Sequence, residues 1–508
     1  MKTKSLLNFS PKHDNIPKSG LELPTEVLKM IGRQNEIQRL KNLYNSKKAE
    51  LVAIYGRRRV GKTFLVDQCF KGKITFRHAG LSPIEMEELP GNRPLRKQLR
   101  HFYNSLIRQG MRKSRCPDNW EDAFLMLEMF LEKKDNGKRM LIFLDELPWM
   151  DTQKSGFITA FEGFWNSWCC YHDNVMVVIC GSAISWMLDK LINNYGGLYG
   201  RVTYEIQLVP FTLKECEELF KENQLKISRY DIIQAYMIVG GIPFYLGYFE
   251  KGLSLAQSID QMFYTKNAFL KNEYERLFKS AFQNPDMTKV LVEFLNTRHG
   301  GFTRKEISEK SGFSKGGSLS DALQALEACG FVEKYVPFGM GKKEERYKLV
   351  DPFCIFYLKF VKDKKRLDTS FWAKNVTSQA VASWRGLAFE NTCFSHIDQI
   401  KAALGISGVT TTTSGWSMRD AENDGTQIDM IIERNDHVVN ACEMKYYSKE
   451  FVVNKEYHRT LATRQGILEG FLDKGFVVHN TLITTYGLKY NEYSGDFDNV
   501  ITIEELFR

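Results

Sequence analysis

Residues 56–63 read Gly-Arg-Arg-Arg-Val-Gly-Lys-Thr and lie between an apolar run, Leu51 to Tyr55, and a helix-like stretch, Phe64 to Phe70. A strand that runs into a glycine-bounded basic turn and restarts as a helix makes a phosphate-binding loop, which ties the chain to a parallel α/β sheet. Gly56 and Gly61 let the backbone turn tightly and aim its N–H groups at a β-phosphate. Gly56, Arg57, Arg58, Arg59, Val60, Gly61, Lys62, Thr63 and Phe64 are therefore the expected nucleotide contacts. Lys62 reaches the β- and γ-phosphates, and the Thr63 hydroxyl is expected to ligate Mg²⁺.

At 508 residues the chain exceeds a single core, and a prior of roughly 150 residues per domain predicts about three. Hydrophobic residues at 43% and charged residues at 26% supply several packed cores and exclude global disorder. The formal charge of +9 is compatible with an acidic partner such as nucleic acid without requiring one. No CxxC pair occurs among the ten cysteines, and Cys180 and Cys393 sit in apolar surroundings, so buried thiols in a reducing interior are expected. Met1 to Gly20 is polar and Lys-rich, like a loose leader rather than a secretory signal, and no apolar stretch reaches the roughly 18 residues of a membrane span. The expectation is a cytoplasmic protein with no membrane partner.

From Leu28 to Phe211 apolar runs alternate with amphipathic stretches, the pattern of a parallel sheet wound with helices. Predicted strands are Leu51–Tyr55, Ile74–Arg77, Met140–Leu144, Val175–Cys180 and Tyr204–Leu208, with a helix over Asn119–Lys133. A helix-rich block follows from Thr212 to Phe282. Beyond Asn284-Pro285, three short helices (Asp286–Leu295, Arg304–Ser311, Ser318–Cys329) precede a hairpin of Phe331–Pro337 and Arg346–Val350, the order of a winged helix-turn-helix. The Ser318 or Ser320 hydroxyl is expected to cap its third helix, after a turn at Ser314 to Gly317.

A phosphate loop needs a second strand that ends in carboxylates, and Leu141-Ile142-Phe143-Leu144-Asp145-Glu146 supplies one. Asp145 is expected to hold Mg²⁺ through water and Glu146 to polarise the attacking water. The next apolar strand ends at Gly181-Ser182, where Ser182 is placed to sense a γ-phosphate. Arg201 is either a phosphate-sensing or finger arginine, or a solvated one.

Further motifs bring a family into view. Ile31-Gly32-Arg33-Gln34-Asn35-Glu36 resembles the GRxxE box of AAA+ and STAND ATPases, and Gly240-Gly241-Ile242-Pro243 resembles their GxP motif, which implies that Pro243 borders the nucleotide base. With the phosphate loop and Asp145-Glu146, the chain resembles the archaeal-type ATPase family of the MNS clade of STAND NTPases over about residues 28–250. The resemblance implies ATP and Mg²⁺ as cofactors, with catalytic work by Lys62, Glu146 and Arg201.

In that family a winged helix follows the ATPase, in agreement with the order found here. Lys310, Lys315, Lys342 and Lys343 suit phosphate contacts, yet the third helix carries Asp321 and Glu327 and no arginine, so DNA contact and a packing role both stay open. In the last section Ile428-Asp429-Met430-Ile431-Ile432 and Val438 to Lys445 read as paired strands that bring Asp429, Glu443 and Lys445 together, with Glu443 and Lys445 on one face. Asp429 and Glu443, joined by Glu390 from a preceding helix, are the expected metal ligands, and Lys445 the group that activates water. An ordinary salt-bridged strand edge is the alternative. The set resembles the PD-(D/E)XK nuclease fold, although Gln427 stands where many members place an acid. Lys455, Arg459 and Arg464 face either a phosphate backbone or solvent.

The expected fold is α/β: a P-loop NTPase parallel sheet (28–211) after a leader (1–27), a helical lid (212–283), a winged helix (284–352) and a restriction-endonuclease-like α/β domain (353–508). The function this implies is ATP binding and hydrolysis coupled to DNA binding or metal-dependent DNA cleavage. An ATP-dependent switch or scaffold with a non-cleaving C-terminal domain is the alternative, and a chaperone-like ATPase acting on protein a third. The implied partners are ATP, DNA and further copies of the chain.

Overall fold

The computed structural model describes residues 30–508 apart from 90–92, 194–196, 199, 283, 311, 313–315, 363–367 and 419–425. The expected leader lies outside the described residues, as do Ser314 and Lys315 of the expected turn. Five strands build the first sheet: β1 (Glu50–Gly56), β2 (Ile74–Ala79), β3 (Met140–Asp145), β4 (Val175–Gly181) and β5 (Tyr204–Leu208). They lie parallel in the order β2-β3-β4-β1-β5. The three inner strands, β1, β3 and β4, are buried at every position, which their near-continuous apolar sequences allow, whereas the edge strands β2 and β5 alternate. Val52, Ile54, Phe143 and Val178 pack on one face against Leu65, Val66 and Phe70 of the helix after the phosphate loop.

The opposite face opens into a much larger apolar core. It runs from Leu51, Phe124 and Ile179 through Phe278 and Phe331 to Phe356, Ile432 and Leu506, so the sheet, the helical block, the small sheet and the C-terminal sheet share one interior. That continuity is a finding that the length-based expectation of separate cores did not contain. Seven cysteines, Cys180 and Cys393 among them, are buried and all are free thiols. No described helix is long and apolar enough to cross a membrane.

The helical block begins at Thr212, whose side chain accepts from the Glu215 N–H while Glu215 returns the bond to the Thr212 N–H. Helices Pro285–Leu295, Arg304–Lys310 and Gly317–Ala328 follow, then an antiparallel sheet in the order β6-β8-β7 of β6 (Phe302–Thr303), β7 (Val332–Tyr335) and β8 (Arg346–Leu349). β6 was not foreseen, because two residues carry no periodicity to read. The helix Gly317–Ala328 starts from Gly316 without a side-chain cap, so neither Ser318 nor Ser320 is its cap; the Ser320 hydroxyl accepts instead from Arg304 at 2.7 Å.

The last sheet comprises β9 (Thr411–Met418), β10 (Thr426–Arg434), β11 (Val438–Lys445), β12 (Val477–Thr484) and β13 (Asn499–Thr502), antiparallel through β11 and parallel beyond it. Helix Gln379–Ser395 contacts β11, and helix Lys455–Phe471 contacts β10 and β12. The turn after β7 does not stand free. The Phe338 N–H donates to the Gly415 carbonyl at 3.2 Å, and Gly339 lies so close to the Phe471 ring that a Cβ there would be 2.2 Å from it.

The joint between β5 and the helical block is equally tight. Phe211 N–H donates to Gly241 O at 2.6 Å, and a Cβ on Gly241 would sit 1.9 Å from the Phe211 carbonyl oxygen. Gly241→Ala is expected to lower unfolding stability by about 1–3 kcal/mol, the usual cost of forced overpacking. A urea midpoint equal to that of the parent protein would contradict this close approach.

Candidate functional site

The phosphate loop leaves β1 at Gly56, where a Cβ would lie 2.3 Å from the Leu208 carbonyl oxygen, so only glycine fits. Gly61, at φ 102°, starts the helix Lys62–Cys69. Lys62 is buried, and its Nζ donates to the Gly56 and Arg57 carbonyls at 2.9 and 3.1 Å, which holds the ammonium over the loop. The Thr63 hydroxyl donates to Asp145 Oδ2 at 2.7 Å, joining the loop to the end of β3 although β4 lies between β3 and β1. Burial, then the neighbouring Glu146, push the Asp145 pKa up, while Thr63 and Lys62 pull it down. A buried carboxylate next to another carboxylate and a hydroxyl is a donor set short of one cation, and Mg²⁺ fits it.

Glu146 turns through left-handed backbone, φ 46°, and its N–H donates to Asp145 Oδ1 at 3.0 Å. Its own Oε2 accepts from both the N–H (2.9 Å) and the hydroxyl (2.8 Å) of Ser182 at the end of β4. Ser182, expected to sense a γ-phosphate, thus orients the glutamate.

Two of the loop's arginines turn away from the phosphate position. Arg57 is buried in an ion pair with Asp351 and lies over the Phe331 ring, 4.4 Å from its centroid. Burial acts to lower its pKa, but the charge and hydrogen bond of Asp351 hold it above the usual guanidinium value. Arg59, at φ 67°, pairs with Glu273 at 3.1 Å and stacks on Phe244, the residue after Pro243, at 4.1 Å. The Arg57 and Arg59 side chains are therefore ties that bind the loop to the downstream elements, which leaves to their backbone N–H groups the phosphate contact expected of the loop. Arg58 fits an anion better, since its Nη1 is buried without a partner. Phe64 is 41% exposed. Arg57 also lines a cavity of about 550 Å³ together with Phe211, Gly240, Gly241 and Ile242.

Arg201 is exposed and precedes Thr203, whose N–H donates to Leu51 O at 2.8 Å at the start of β1. The phosphate loop leaves the other end of β1, roughly 16 Å away at about 3.3 Å per strand residue. Arg201 therefore cannot sense a phosphate bound to its own chain.

In the C-terminal sheet, Asp429 and Glu443 lie on adjacent antiparallel strands and Lys445 Nζ stands 3.0 Å from Glu443 and 3.8 Å from Asp429. The expected three-carboxylate set is not gathered. Glu443 faces helix Lys455–Phe471, where Tyr457 donates to it at 2.5 Å and Arg464 at 2.5 Å. Burial raises its pKa, but Lys445 and Arg464 bring it below the usual value. Glu390 comes from helix Gln379–Ser395 and is held by His299 Nε2 at 2.9 Å. Glu390 and Asp429 share a cavity of about 240 Å³ that Glu443 does not line. Among the described residues no group of three His, Cys, Asp or Glu side chains is placed to hold a metal ion. The Glu390, Asp429 and Glu443 metal site is corrected accordingly, because lysine and arginine already neutralise Glu443. Arg464 is likewise bound rather than facing outward, while Lys455 and Arg459 are exposed.

Sequence reasoning missed Asp351, Glu273, Ser182's hold on Glu146, His299, Lys348 and Tyr457. Asp351 stands before Pro352 at the start of the helix Pro352–Phe360 and accepts from the Cys354 N–H at 2.7 Å. Nothing local could announce its ion pair with Arg57, 294 residues earlier.

Asp351→Ala is expected to cost about 3–5 kcal/mol in denaturant unfolding, since it strands a buried guanidinium, and Arg57→Met in the same chain should return part of that loss. Burial first, then Glu443, push the Asp429 pKa up to about 7 from 3.8, against the pull of Lys445. A raised carboxyl pKa stabilises the fold below its unfolded value, and the contribution disappears as pH climbs through the folded one. In EDTA, the stability of the parent relative to Asp429→Asn should therefore fall between pH 4 and 7, the interval set by those two values. A flat difference would contradict the shift.

Residues 30–249 match the model of a family described as an ATPase domain predominantly from Archaea. The uncharacterized protein MJECL04 of Methanocaldococcus jannaschii is 26% identical over 336 residues, 65% of this chain and 68% of its own length. The uncharacterized ATP-binding protein MJ0423 of the same organism is 38% identical over 47 residues, 9% of this chain and 80% of its own length. Among solved structures, the Walker-type ATPase PABY2304 of Pyrococcus abyssi aligns with 16% identity and a TM-score of 0.43, over 66% of this chain and 99% of that one. The ORC2 protein of Aeropyrum pernix, in its ADPNP-ADP complexes, aligns with 11% identity and a TM-score of 0.40, over 69% and 98%. With a complete phosphate loop bonded to the carboxylate strand, residues 30–249 form an ATPase domain of the kind that this family model describes.

Proposed function

We propose that the chain is an ATP-hydrolysing switch of the AAA+/STAND type whose C-terminal section engages DNA. The observation that carries the first half is the Thr63–Asp145 hydrogen bond at 2.7 Å, which places a hydroxyl from the helix after the loop and a carboxylate from the end of β3 at one point beside Lys62. Thr63 and Asp145 would hold Mg²⁺, and the ion would supply positive charge to the β- and γ-phosphate oxygens. Lys62 would leave the Gly56 and Arg57 carbonyls for the phosphates, and the backbone N–H groups of the loop would cradle them. Arg58 has a buried guanidinium nitrogen free for the same anion. Glu146 would orient water for attack, with Ser182 fixing its carboxylate. Pro243 would border the base, next to the cavity at Gly240–Ile242. In an oligomer, the exposed Arg201 would serve the nucleotide of a neighbouring copy.

For the second half, residues 284–352 are read as a winged helix and 353–508 as a PD-(D/E)XK-like unit after the ATPase core (28–211) and lid (212–283). The pairing of Glu443 with Lys445 and Arg464 favours DNA binding without cleavage over metal-dependent cleavage, so the switch reading has more support than the nuclease reading.

ATP titrations and turnover assays test the first half. Lys62→Ala should weaken ATP binding more than tenfold, whereas Glu146→Gln should keep binding and lower turnover by roughly a hundredfold or more. Ser182→Ala should lower turnover with little change in ATP affinity, the mark of a positioning residue. Wild-type turnover in Glu146→Gln would remove the glutamate from the mechanism. Plasmid nicking with Mg²⁺ or Mn²⁺ should be absent, and nicking lost in both Asp429→Ala and Lys445→Ala would restore the nuclease reading.

A further inference from the structure

The formal excess of +9 is not spread evenly along the chain. Residues 93–115 hold eight Lys and Arg and no Asp or Glu. Most of this segment is the helix Pro94–Arg108, between β2 and β3, which buries Leu99, Phe102 and Leu106 along one face. Gln98, also buried, fixes that face to its surroundings: its Oε1 accepts from the Leu81 N–H at 3.0 Å and its Nε2 donates to the Trp149 carbonyl, in the turn after β3, at 2.7 Å. At 3.6 residues per turn, Arg96, Lys97, Arg100 and Arg108 fall together on the opposite face, where the three arginines are exposed. The turn beyond the helix adds to them. The Tyr103 hydroxyl donates to the Ser114 carbonyl at 2.5 Å and accepts from the Ser114 N–H at 2.9 Å, which folds residues 111–115 back on the helix with Arg112 and Lys113 exposed. Burial raises the Cys116 thiol pKa while Arg100 and Arg96 pull it down, so these two arginines stand beside the turn. Among the described residues no carboxylate comes within ion-pair distance of Arg93, Arg96, Arg100, Arg108, Arg112 or Lys113. Of the acids in the flanking segments, Asp118 pairs with Arg115 at 2.6 Å, Glu85 accepts from the Ser82 N–H at 2.8 Å and Glu87 pairs with Lys279 at 3.5 Å.

We propose that the helix Pro94–Arg108 and the turn after it form a surface for the backbone of duplex DNA on the ATPase domain itself, with Arg96, Arg100, Arg108, Arg112 and Lys113 as phosphate contacts. Like charges gathered on one fixed face repel one another, and a polyanion relieves that repulsion as it releases its own counterions. From Arg96 to Arg108 the helix runs about 18 Å, a length over which duplex DNA carries roughly ten phosphate charges. A lipid surface fits less well, because a helix that lies on a membrane inserts its apolar face, and here that face is buried in the core. Contacts of this kind position a duplex without reading its sequence. The inference goes beyond the C-terminal DNA reading and rests on it only for the choice of DNA as the polyanion.

The test uses the full chain and a fluorescein-labelled DNA duplex, read by anisotropy over a series of KCl concentrations. Arg96→Glu combined with Arg100→Glu should weaken binding roughly tenfold or more and lower the slope of log affinity against log salt by about two units, one for each phosphate lost. Arg96→Lys combined with Arg100→Lys should keep both, since the contact is one of charge. Arg112→Glu combined with Lys113→Glu, in the turn, should repeat the loss and guards against misfolding of the helix variant. Lys455→Glu combined with Arg459→Glu, exposed on the helix Lys455–Phe471, separates this surface from the C-terminal one. Binding lost in both ATPase-domain glutamate pairs and kept in the C-terminal pair supports the surface and sinks the C-terminal DNA reading; binding lost in all three supports both. Parent-like affinity and slope in the two ATPase-domain pairs overturn the proposal, and loss in the C-terminal pair then leaves the DNA reading standing. A parent protein that binds no duplex, or only vesicles of phosphatidylcholine and phosphatidylserine, overturns both.

Discussion

The buried ion pair between Arg57 and Asp351 fixes how the rest of this molecule is put together. Each charge alone would cost several kcal/mol to take out of water, and among the described residues neither has another ion-pair partner, so the two segments must meet. Arg57 belongs to the phosphate loop and Asp351 caps the helix Pro352–Phe360, directly after β8. Phe331 lies beneath the guanidinium and begins the same hairpin. The loop that grips phosphate is thereby bolted to the small sheet, and three residues before Asp351 stands Lys348, facing the carboxylate cavity of the last sheet.

The second constraint is the order of the first sheet. With β4 between β1 and β3, the residues after β3 and β4 come to lie side by side at the carboxyl ends of the strands, where Thr63 meets Asp145 and Ser182 meets Glu146. The strained turn at Glu146 is what aims its carboxylate at Ser182, and a left-handed non-glycine residue at such a place persists only because its surroundings hold it. In the C-terminal sheet the same logic has a different outcome. Glu443 is as buried as Asp145, but it meets Lys445, Arg464 and Tyr457, so it has no charge deficit for a metal to fill.

Much of this was legible in the residues because it is local. Apolar runs that fill inner strands announce themselves, as at Val175–Gly181, and glycine is required at Gly56 by the close Leu208 backbone and favoured at Gly61 by its positive φ. Asp429, Glu443 and Lys445 were placed together by the period of two along paired strands. The side-chain partners of Arg57 and Arg59 were not legible, for the opposite reason. Within a run of three arginines beside a phosphate position, the sequence carries no sign that Asp351 and Glu273 lie closer than any phosphate. Glu390 was misassigned because a carboxylate on a helix reveals neither its distance from a strand nor the histidine, His299, that holds it.

What the amino-acid order determined by itself was the phosphate loop, the strands that flank it and the acidic pair after β3, since periodicity, glycine geometry and apolar burial act over a few neighbours. Only the tertiary structure decided which charge meets which. Coulomb and desolvation energies depend on distances between side chains that the chain brings together from hundreds of residues apart, and so the fate of Arg57, Glu443 and Lys348 had to wait for the folded molecule.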